Sequence, residues 1–430
     1  MPVTTAALNH AEDLASFVAA SPSSYHAAAE VARRAQEAGF TLLDERDAWP
    51  SQPGGKFVVV RDGAAIAWVV PAAAAATTPV SVFGAHTDSP GFKLKPQPTT
   101  GGNGWLQAGV EVYGGPLLNS WLDRELRLAG RLVLDDGSVA LAATGPLLRL
   151  PQLAIHLDRG VNDGLALDKQ FNTQPVWGLG APESADLLAE VAKEAGVDPL
   201  RIRGFDLVVA DSARGAVFGA GDAFFASGRL DDLASVHAGV VALTERADQI
   251  AADGSHLSLL AAFDHEELGS ESRSGASGPF LEDVLERVYG LLGAGGEERR
   301  RAYAASWCLS SDVGHSVHPN YPGKHDPVVR PVLGSGPILK INANQRYATD
   351  AVGAAAWNGW CEAAGVNSQE FVSHNGVPCG STIGPLTATR LGLRTVDVGI
   401  PILSMHSARE LAGVSDLHDL SRVAGTFFTA

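Results

Sequence analysis

Four short polar clusters in this sequence carry side chains able to hold a metal ion, and each follows an apolar run of strand length. VSVFG is followed by AHTDSP, which contains His86 and Asp88; LSLLAAF is followed by DHEELGS, with Asp264, His265, Glu266 and Glu267. SWCLS leads to SDVGHSVHPNY, with Asp312, His315 and His318, and TVDVGIPIL leads to SMHSARE, with His406. A further pair, Asp231 and Asp232 in FFASGRLDD, opens an expected helix. Ligands of open α/β sheets bind outside the carboxyl ends of the strands. The clusters are therefore expected to converge on one rim.

Imidazole nitrogens and carboxylate oxygens are zinc donors, and one carboxylate can bridge two ions ~3.5–4 Å apart. The His86-x-Asp88 spacing lets the carboxylate orient a ligating imidazole. In Glu266-Glu267 the neighbours point different ways, so one can hold metal while the other moves protons for an activated water. Each piece has a plainer reading when taken alone. His-x-Asp is common as a surface or capping pair, Glu-Glu occurs on solvated helices, and Asp231-Asp232 complements a helix dipole. His318, before Pro319, reads as structural. Competing signatures are missing: there is no HExxH, no GxSxG and no GxxxxGK[ST]. Gly293-Ala-Gly295 follows a helical stretch and is no dinucleotide fingerprint.

The elements that must position these residues are legible as alternating Val-rich runs and helical stretches. Strands are expected at Phe57–Val60, Ala65–Val70, Val80–Gly84, Leu257–Phe263, Ser306–Ser310, Ile338–Ile341 and Thr395–Ile400. Two helices open the chain, the second beginning near Ser24, with Gly39 placed to end it in a left-handed cap. Others are expected over Leu233–Gln249, Leu281–Leu292 and Ala351–Ala364. This pattern predicts an α/β fold around a mixed sheet. From about Lys93 to Gly219, Gly/Pro punctuation, short runs such as RLAGRLVL and SVALAA, and one helix at Ser184–Ala195 point to a β-rich insertion. The expected division is 1–92 and 220–430 for the α/β domain and 93–219 for the insertion. GGEERRRA (Gly295–Ala302) reads as a solvated loop leading into a helix.

With 430 residues, 45% apolar and 19% charged, the chain has material for a sizeable core, which excludes a disordered or fibrous protein. Lys and Arg number 32 against 48 Asp and Glu, a net charge of −16 that disfavours nucleic acid and anionic membranes as partners. Cys308, Cys361 and Cys379 form no CxxC pair, so they read as small buried hydrophobes. The opening MPVTTAALNHAEDLASF lacks a basic n-region, and the longest apolar stretch, Gly63–Ala76, contains Pro71 and is shorter than the ~20 residues of a membrane span. A soluble, cytoplasmic protein is expected.

Taken in order, these motifs resemble the M18 family of zinc aminopeptidases, the aspartyl aminopeptidases. The likeness runs from SPSSYHAAAEVARR through HTDSP, LAIHLDR, RLDDL, DHEELGS, SDVGHSVHPNY, QRYATD and PCGSTIGP to MHSARE. It implies a zinc-exopeptidase-like catalytic domain interrupted by a β-rich dimerisation domain. It implies two zinc ions, replaceable by cobalt or manganese, bridged by Asp231, one held also by His86 and Asp312 and the other by Glu267 and His406. Glu266 would be the general base toward a metal-activated water, and Asp88 would orient His86. His156, in LAIHLDR, would reach a neighbouring subunit's active site, and His315, Lys340 and Tyr347 would bind the peptide substrate. Lys340 suits an acidic N-terminal residue, although relatives preferring neutral or apolar residues exist. The expected assembly is a homo-oligomer of dimers forming a tetrahedral dodecamer. Two departures stand out: Asp232 where Asn is common, and His265 where some relatives have Asn. The rival readings are a dinuclear amidohydrolase or deacylase, and a catalytically silent peptide-binding shell.

Overall fold

The computed structural model describes residues 2–430. Nine strands form a mixed central sheet in the order Thr41–Leu43, Lys56–Arg61, Ala64–Val69, Leu257–Phe263, Val80–His86, Trp307–Ser311, Arg394–Gly399, Ile338–Lys340 and Gln369–Phe371. The four strands from Leu257–Phe263 to Arg394–Gly399 are parallel neighbours. Their carboxyl ends therefore share one edge of the sheet, and this edge carries the polar clusters.

These strands read as unbroken apolar runs because both faces of the sheet are covered. In Leu257–Phe263 every residue is buried. Leu260 and Ala262 pack with the helices Thr5–Ala20, Ser24–Glu37, Leu230–Asp253, Ala351–Ala364 and Val414–Phe427. Leu257, Leu259, Ala261 and Phe263 pack on the other side with Phe280–Leu291, Gly296–Ala304 and Ile383–Leu391. The result is three layers with two apolar cores. Helix Ser24–Glu37 is capped by the Ser23 hydroxyl, which accepts from the His26 N–H, and Gly39 follows it at φ +83°. The charged run expected as a loop leading into a helix is already helical from Gly296 to Ala304, with Glu297 and Glu298 in its first turn where they complement the dipole.

Between Val80–His86 and Phe224–Ser227 the chain builds a second, antiparallel sheet of seven strands, from Gly91–Gly102 to Ile202–Asp211. Its own core includes Phe92, Trp121, Leu128, Leu132 and Leu207, covered by helix Leu187–Ala195. The long connection from Leu148–Arg149 to Val176–Leu179 contains no helix, and it exposes Leu153, Ile155, Leu157 and Phe171, the last at 78%. A third sheet of five short strands includes the antiparallel hairpin Pro401–Leu403 and Glu410–Gly413, whose connection carries His406. Among the described residues no helix is long and apolar enough to cross a membrane.

Three imidazoles meet where helices Thr5–Ala20, Leu230–Asp253 and Val414–Phe427 pack. The His10 ring lies 4.7 Å from His237 and 5.6 Å from His418. His237 Nε2 is 2.7 Å from Asp13 Oδ2, and Asp13 also pairs with Arg34. Burial, reinforced by His237 and His418 and opposed by Asp13, lowers the His10 pKa to about 2. The unfolded chain binds a proton at this residue near pH 6.5 and the folded chain does not, so stability is lost as the pH falls below 6.5. At ~1.36 kcal/mol per unit, the loss from this group reaches about 2 kcal/mol at pH 5. The thermal midpoint is expected to fall between pH 7 and pH 5, and to fall less in His10→Leu. Equal falls in calorimetric scans of the two proteins would remove this cluster as the cause.

Candidate metal centre

The converging side chains come from five places in the chain. His86 is the last residue of strand Val80–His86. After Leu257–Phe263 the chain turns through Asp264 and His265, the latter at φ +63°, into the short 3-10 turn Glu266–Leu268. Asp312 follows Trp307–Ser311 directly. His406 sits at φ +66° in the turn of the Pro401–Gly413 hairpin. Asp231 and Asp232, joined by a cis peptide bond, lie at the start of Leu230–Asp253 but outside helical geometry, at φ/ψ −82°/102° and −121°/27°. Both are buried with their side chains toward the rim, so the plainer reading of a dipole-complementing pair does not hold.

Asp231 stands at the middle of the group. Its Oδ1 is 3.1 Å from His86 Nε2 and its Oδ2 is 3.3 Å from His406 Nε2. His86 Nε2 is also 3.9 Å from Asp312 Oδ1, and His406 Nε2 is 3.5 Å from Glu267 Oε1. Donor atoms of His86, Asp231 and Glu267 lie within 4.8 Å of one another, as do those of His86, Asp232 and Asp312. The second grouping draws in Asp232, whose Oδ2 accepts the His86 backbone N–H at 3.2 Å.

Both histidines are held through Nδ1 by a backbone carbonyl: His86 by Asp88 O at 3.0 Å and His406 by Gly115 O at 3.0 Å. A carbonyl only accepts, so each Nδ1 carries the proton and each Nε2 faces the carboxylates, the arrangement that metal-ligating histidines adopt. The Asp88 carboxylate, expected to orient that ring, lies farther from His86 Nδ1, at 3.5 Å, and the carbonyl of the same residue holds the ring instead. The carboxylate accepts the N–H groups of Glu266 at 3.0 Å and Glu267 at 3.2 Å, and the Tyr113 hydroxyl at 2.8 Å. Glu410, fully buried, accepts the N–H of Asp231 at 3.0 Å and of His406 at 2.7 Å. Tyr113, Gly115 and Glu410 were absent from the sequence reading. Only Glu410 lies inside one of its motifs, and nothing in residue spacing marks the other two.

The donor set fits a divalent cation. Asp232 Oδ1, Asp231 Oδ1 and Glu267 Oε1 are buried and make no hydrogen bond, the last two facing only an imidazole Nε2 at 3.1 and 3.5 Å, a costly state that a cation would relieve. Burial pushes Glu267 and Asp232 well above the usual carboxyl range and Glu266 up to about 7. Against the cost of burial, His406 and His86 hold Asp231 below that range. Burial likewise opposes charge on His406, yet its bond to Asp231 and the nearby Glu267 raise it to about 10. With protons alone available, the carboxylates hold the imidazoles charged. A divalent ion would take over that role.

The group opens on a cleft of about 640 Å³. Lys340, Tyr347 and His315 line it, together with Lys324, His318, His325, His374 and Cys379. Lys340 is buried, with Nζ 3.3 Å from Asp312 Oδ2, donating to Val313 O at 2.8 Å and 5.4 Å from the Tyr347 ring. His318 has the structural role read for it, its Nδ1 accepting the Asn320 N–H at 3.2 Å, and also faces the cleft. Cys308 and Cys361 are buried as expected, whereas Cys379 is half-buried on the cleft wall. His156 is exposed on the long connection of the second sheet and takes no part in its own chain's cleft.

The fold and this donor set define an α/β metallohydrolase. The family described as Aminopeptidase I zinc metalloprotease (M18) matches residues 17–428. A probable M18 family aminopeptidase 2 of Streptomyces coelicolor is 52% identical over 421 residues, covering 97% of each chain. The probable M18 family aminopeptidase 2 of Pseudomonas aeruginosa is 42% identical over 435 residues, covering 97% of this chain and 98% of its own. Among solved structures, that of the Ape4 and Nbr1 complex superposes with a TM-score of 0.95 at 35% identity, covering 100% of this chain and 88% of the other. The S. cerevisiae mApe1 dodecamer gives 0.85 at 31% identity, with 97% and 96% covered. The protein belongs to the M18 family and is a zinc aminopeptidase.

The buried oxygens that make no hydrogen bond generate a direct test. Zinc added to metal-free protein should raise the thermal midpoint by about 5 °C or more, since a ligand far above its Kd adds ~3–4 kcal/mol. Asp231→Ala should abolish most of that shift. A shift of the same size in the variant would place the ion elsewhere.

Proposed function

We propose that the protein binds two zinc ions per chain, bridged by Asp231, and removes an N-terminal residue, preferably Asp or Glu, from peptides. His86 and Asp312 would hold one ion and Glu267 and His406 the other; cobalt or manganese would substitute. The observation that carries the reading is the pair of buried oxygens without a hydrogen bond, Asp231 Oδ1 and Glu267 Oε1, set between two imidazoles at the floor of a cleft. Bound there, zinc would supply Lewis-acid chemistry, polarising a carbonyl and acidifying a water. Glu266, half-buried on the same cleft wall with a carboxyl raised to about 7, takes the proton of that water and delivers it to the leaving amine. Asp88 fixes the Glu266-Glu267 turn through the two N–H bonds that it accepts, and holds the His86 ring through its own carbonyl. The free N-terminal amine of the peptide finds carboxylates close to the reacting carbonyl, which favours exopeptidase cutting.

Acidic preference is supported by the lining of the cleft. All of its carboxylates, Asp231, Glu266, Glu267 and Asp312, belong to the metal centre, and its two lysines, Lys324 and Lys340, supply positive charge beyond them, whereas burial lowers His315 and His325 and favours their neutral form. Lys340 has three donors, of which one goes to Val313 O, and its ammonium is paired with Asp312; a substrate carboxylate would compete for this charge. Tyr347, against Lys340, closes that end of the pocket.

Residues 93–219 are proposed as the dimerisation domain, in an assembly of dimers into a tetrahedral dodecamer. The apolar residues exposed around His156 support it, because a surface of Leu153, Ile155, Leu157 and Phe171 is costly to leave in water. His156 would then enter the neighbouring subunit's cleft and contact the substrate there or sit beside the metal.

Initial rates on Asp, Glu, Leu, Ala and Lys aminoacyl substrates, with and without chelator, test the reading. Chelator-sensitive cleavage favouring Asp and Glu is expected, and preference for Leu would discard the acidic pocket. Glu266→Gln should keep its zinc and lose activity by about 10²–10⁴, and near-normal kcat would sink the base assignment. His156→Ala should lower the rate while leaving the oligomer intact by light scattering. An unchanged rate would remove the shared site.

A further inference from the structure

The turn Gly114–Trp121 belongs to the second sheet, joining strands Trp105–Tyr113 and Glu125–Leu134, yet it grips the loop that presents His406. Gly115 O accepts His406 Nδ1 at 3.0 Å, and the Leu117 N–H donates to His406 O at 2.9 Å. Ser120 Oγ accepts the Ala408 N–H at 2.9 Å and itself donates to Leu117 O at 2.6 Å. Gly114, at φ +66°, comes so close to Glu267 that a Cβ there would sit 3.2 Å from the Glu267 Cβ. Four residues of one turn thus bear on His406, Glu267 and their loop.

The gripped loop needs such support. Ser404 and His406 both have left-handed backbone angles, φ +59° and +66°, which side-chain-bearing residues adopt at a cost. The short hairpin behind them holds only two paired positions, Ile402–Ala412 and Leu403–Leu411. His86 differs: it ends a fully buried strand of the central sheet, and its Nδ1 is held by its own neighbour Asp88. One imidazole is thus positioned within the catalytic sheet and the other from outside it.

We propose that the turn Gly114–Trp121 is the positioning element for His406, fixing its tautomer and loop so that the second sheet governs the half of the metal centre held by His406 and Glu267. The proposal rests on the metal-centre reading above. Gly115, Leu117 and Ser120 touch neither substrate nor reacting atoms; they act through His406. Removing partners that orient a metal-ligating histidine typically weakens the metal by 10–100-fold. The weakening should fall on one of the two ions.

The test is zinc release from zinc-loaded full-length protein into a chromogenic chelator. Ser120→Ala deletes the bond to Ala408. Leu117→Pro deletes the N–H on His406 O at a position whose φ of −73° suits proline and whose side chain is 46% exposed. Each variant should release one zinc about tenfold or more faster than wild type, with the other unchanged. Each should lower kcat more than it raises KM, and Ser120→Thr should restore the slow release. The metal-free variants should melt with the wild type. Unchanged release of both ions in both variants overturns the proposal, and so does equal acceleration of both ions. Wild-type protein that binds no zinc overturns the metal-centre reading, and with it this one, a result visible before any variant is made.

Discussion

Mutual repulsion among buried carboxylates is the constraint around which this molecule is arranged. Asp231, Asp232, Glu267 and Asp312 crowd two imidazoles where little water can screen them, and three of their oxygens make no hydrogen bond. Such a cluster is unfavourable in a folded chain unless positive charge is supplied. The protein supplies part of it: the imidazoles take up charge, and the Lys340 ammonium lies 3.3 Å from Asp312. On the metal-centre proposal, the remainder would be the affinity of the site for a divalent cation. Zinc binding and relief of electrostatic strain would then be one free energy, seen once as function and once as stability.

Holding like charges together requires a rigid frame. Four parallel strands buried on both faces fix where the chain leaves the sheet, but strand ends alone do not aim side chains. The aiming is done by backbone groups. Asp88 accepts the N–H groups of Glu266 and Glu267, Glu410 accepts those of Asp231 and His406, and carbonyls of Asp88 and Gly115 choose the histidine tautomers. Each bond also removes a buried polar group that would otherwise go unsatisfied. The same contacts thus orient the centre and stabilise the turns that carry it.

This division explains what was legible in the sequence. The strands were, because two covered faces leave an uninterrupted apolar run such as LSLLAAF. His86, Glu267, Asp312 and His406 stood out as possible donors because each follows such a run, whereas Asp231 opens an expected helix and entered the ligand set only through the family resemblance. The supports were not legible. Gly115 contributes a carbonyl, which every residue has, and Tyr113 belongs to a strand of the other sheet, 25 residues from its partner Asp88. The helix Gly296–Ala304 begins earlier than a loop leading into a helix would have it, because its polar composition shows little apolar periodicity, although Ala302 and Tyr303 are buried. Asp231 and Asp232 resemble a helix N-terminus in sequence, and only their non-helical backbone angles turn them inward.

The same separation of charge extends along the cleft. The carboxylates that line it all belong to the metal centre, and its lysines, Lys324 and Lys340, stand beyond them. A peptide whose first residue carries both an ammonium and a side-chain carboxylate is itself a dipole. Placed with the ammonium near Glu267 and the carboxylate near Lys340, it is complementary to that arrangement in only one direction. A neutral first residue would gain the first contact and forgo the second, leaving the buried Lys340 donor unanswered. Because an unpaired buried donor costs more than a formed hydrogen bond returns, the acidic preference proposed above would come from the penalty on the wrong side chain as much as from attraction to the right one.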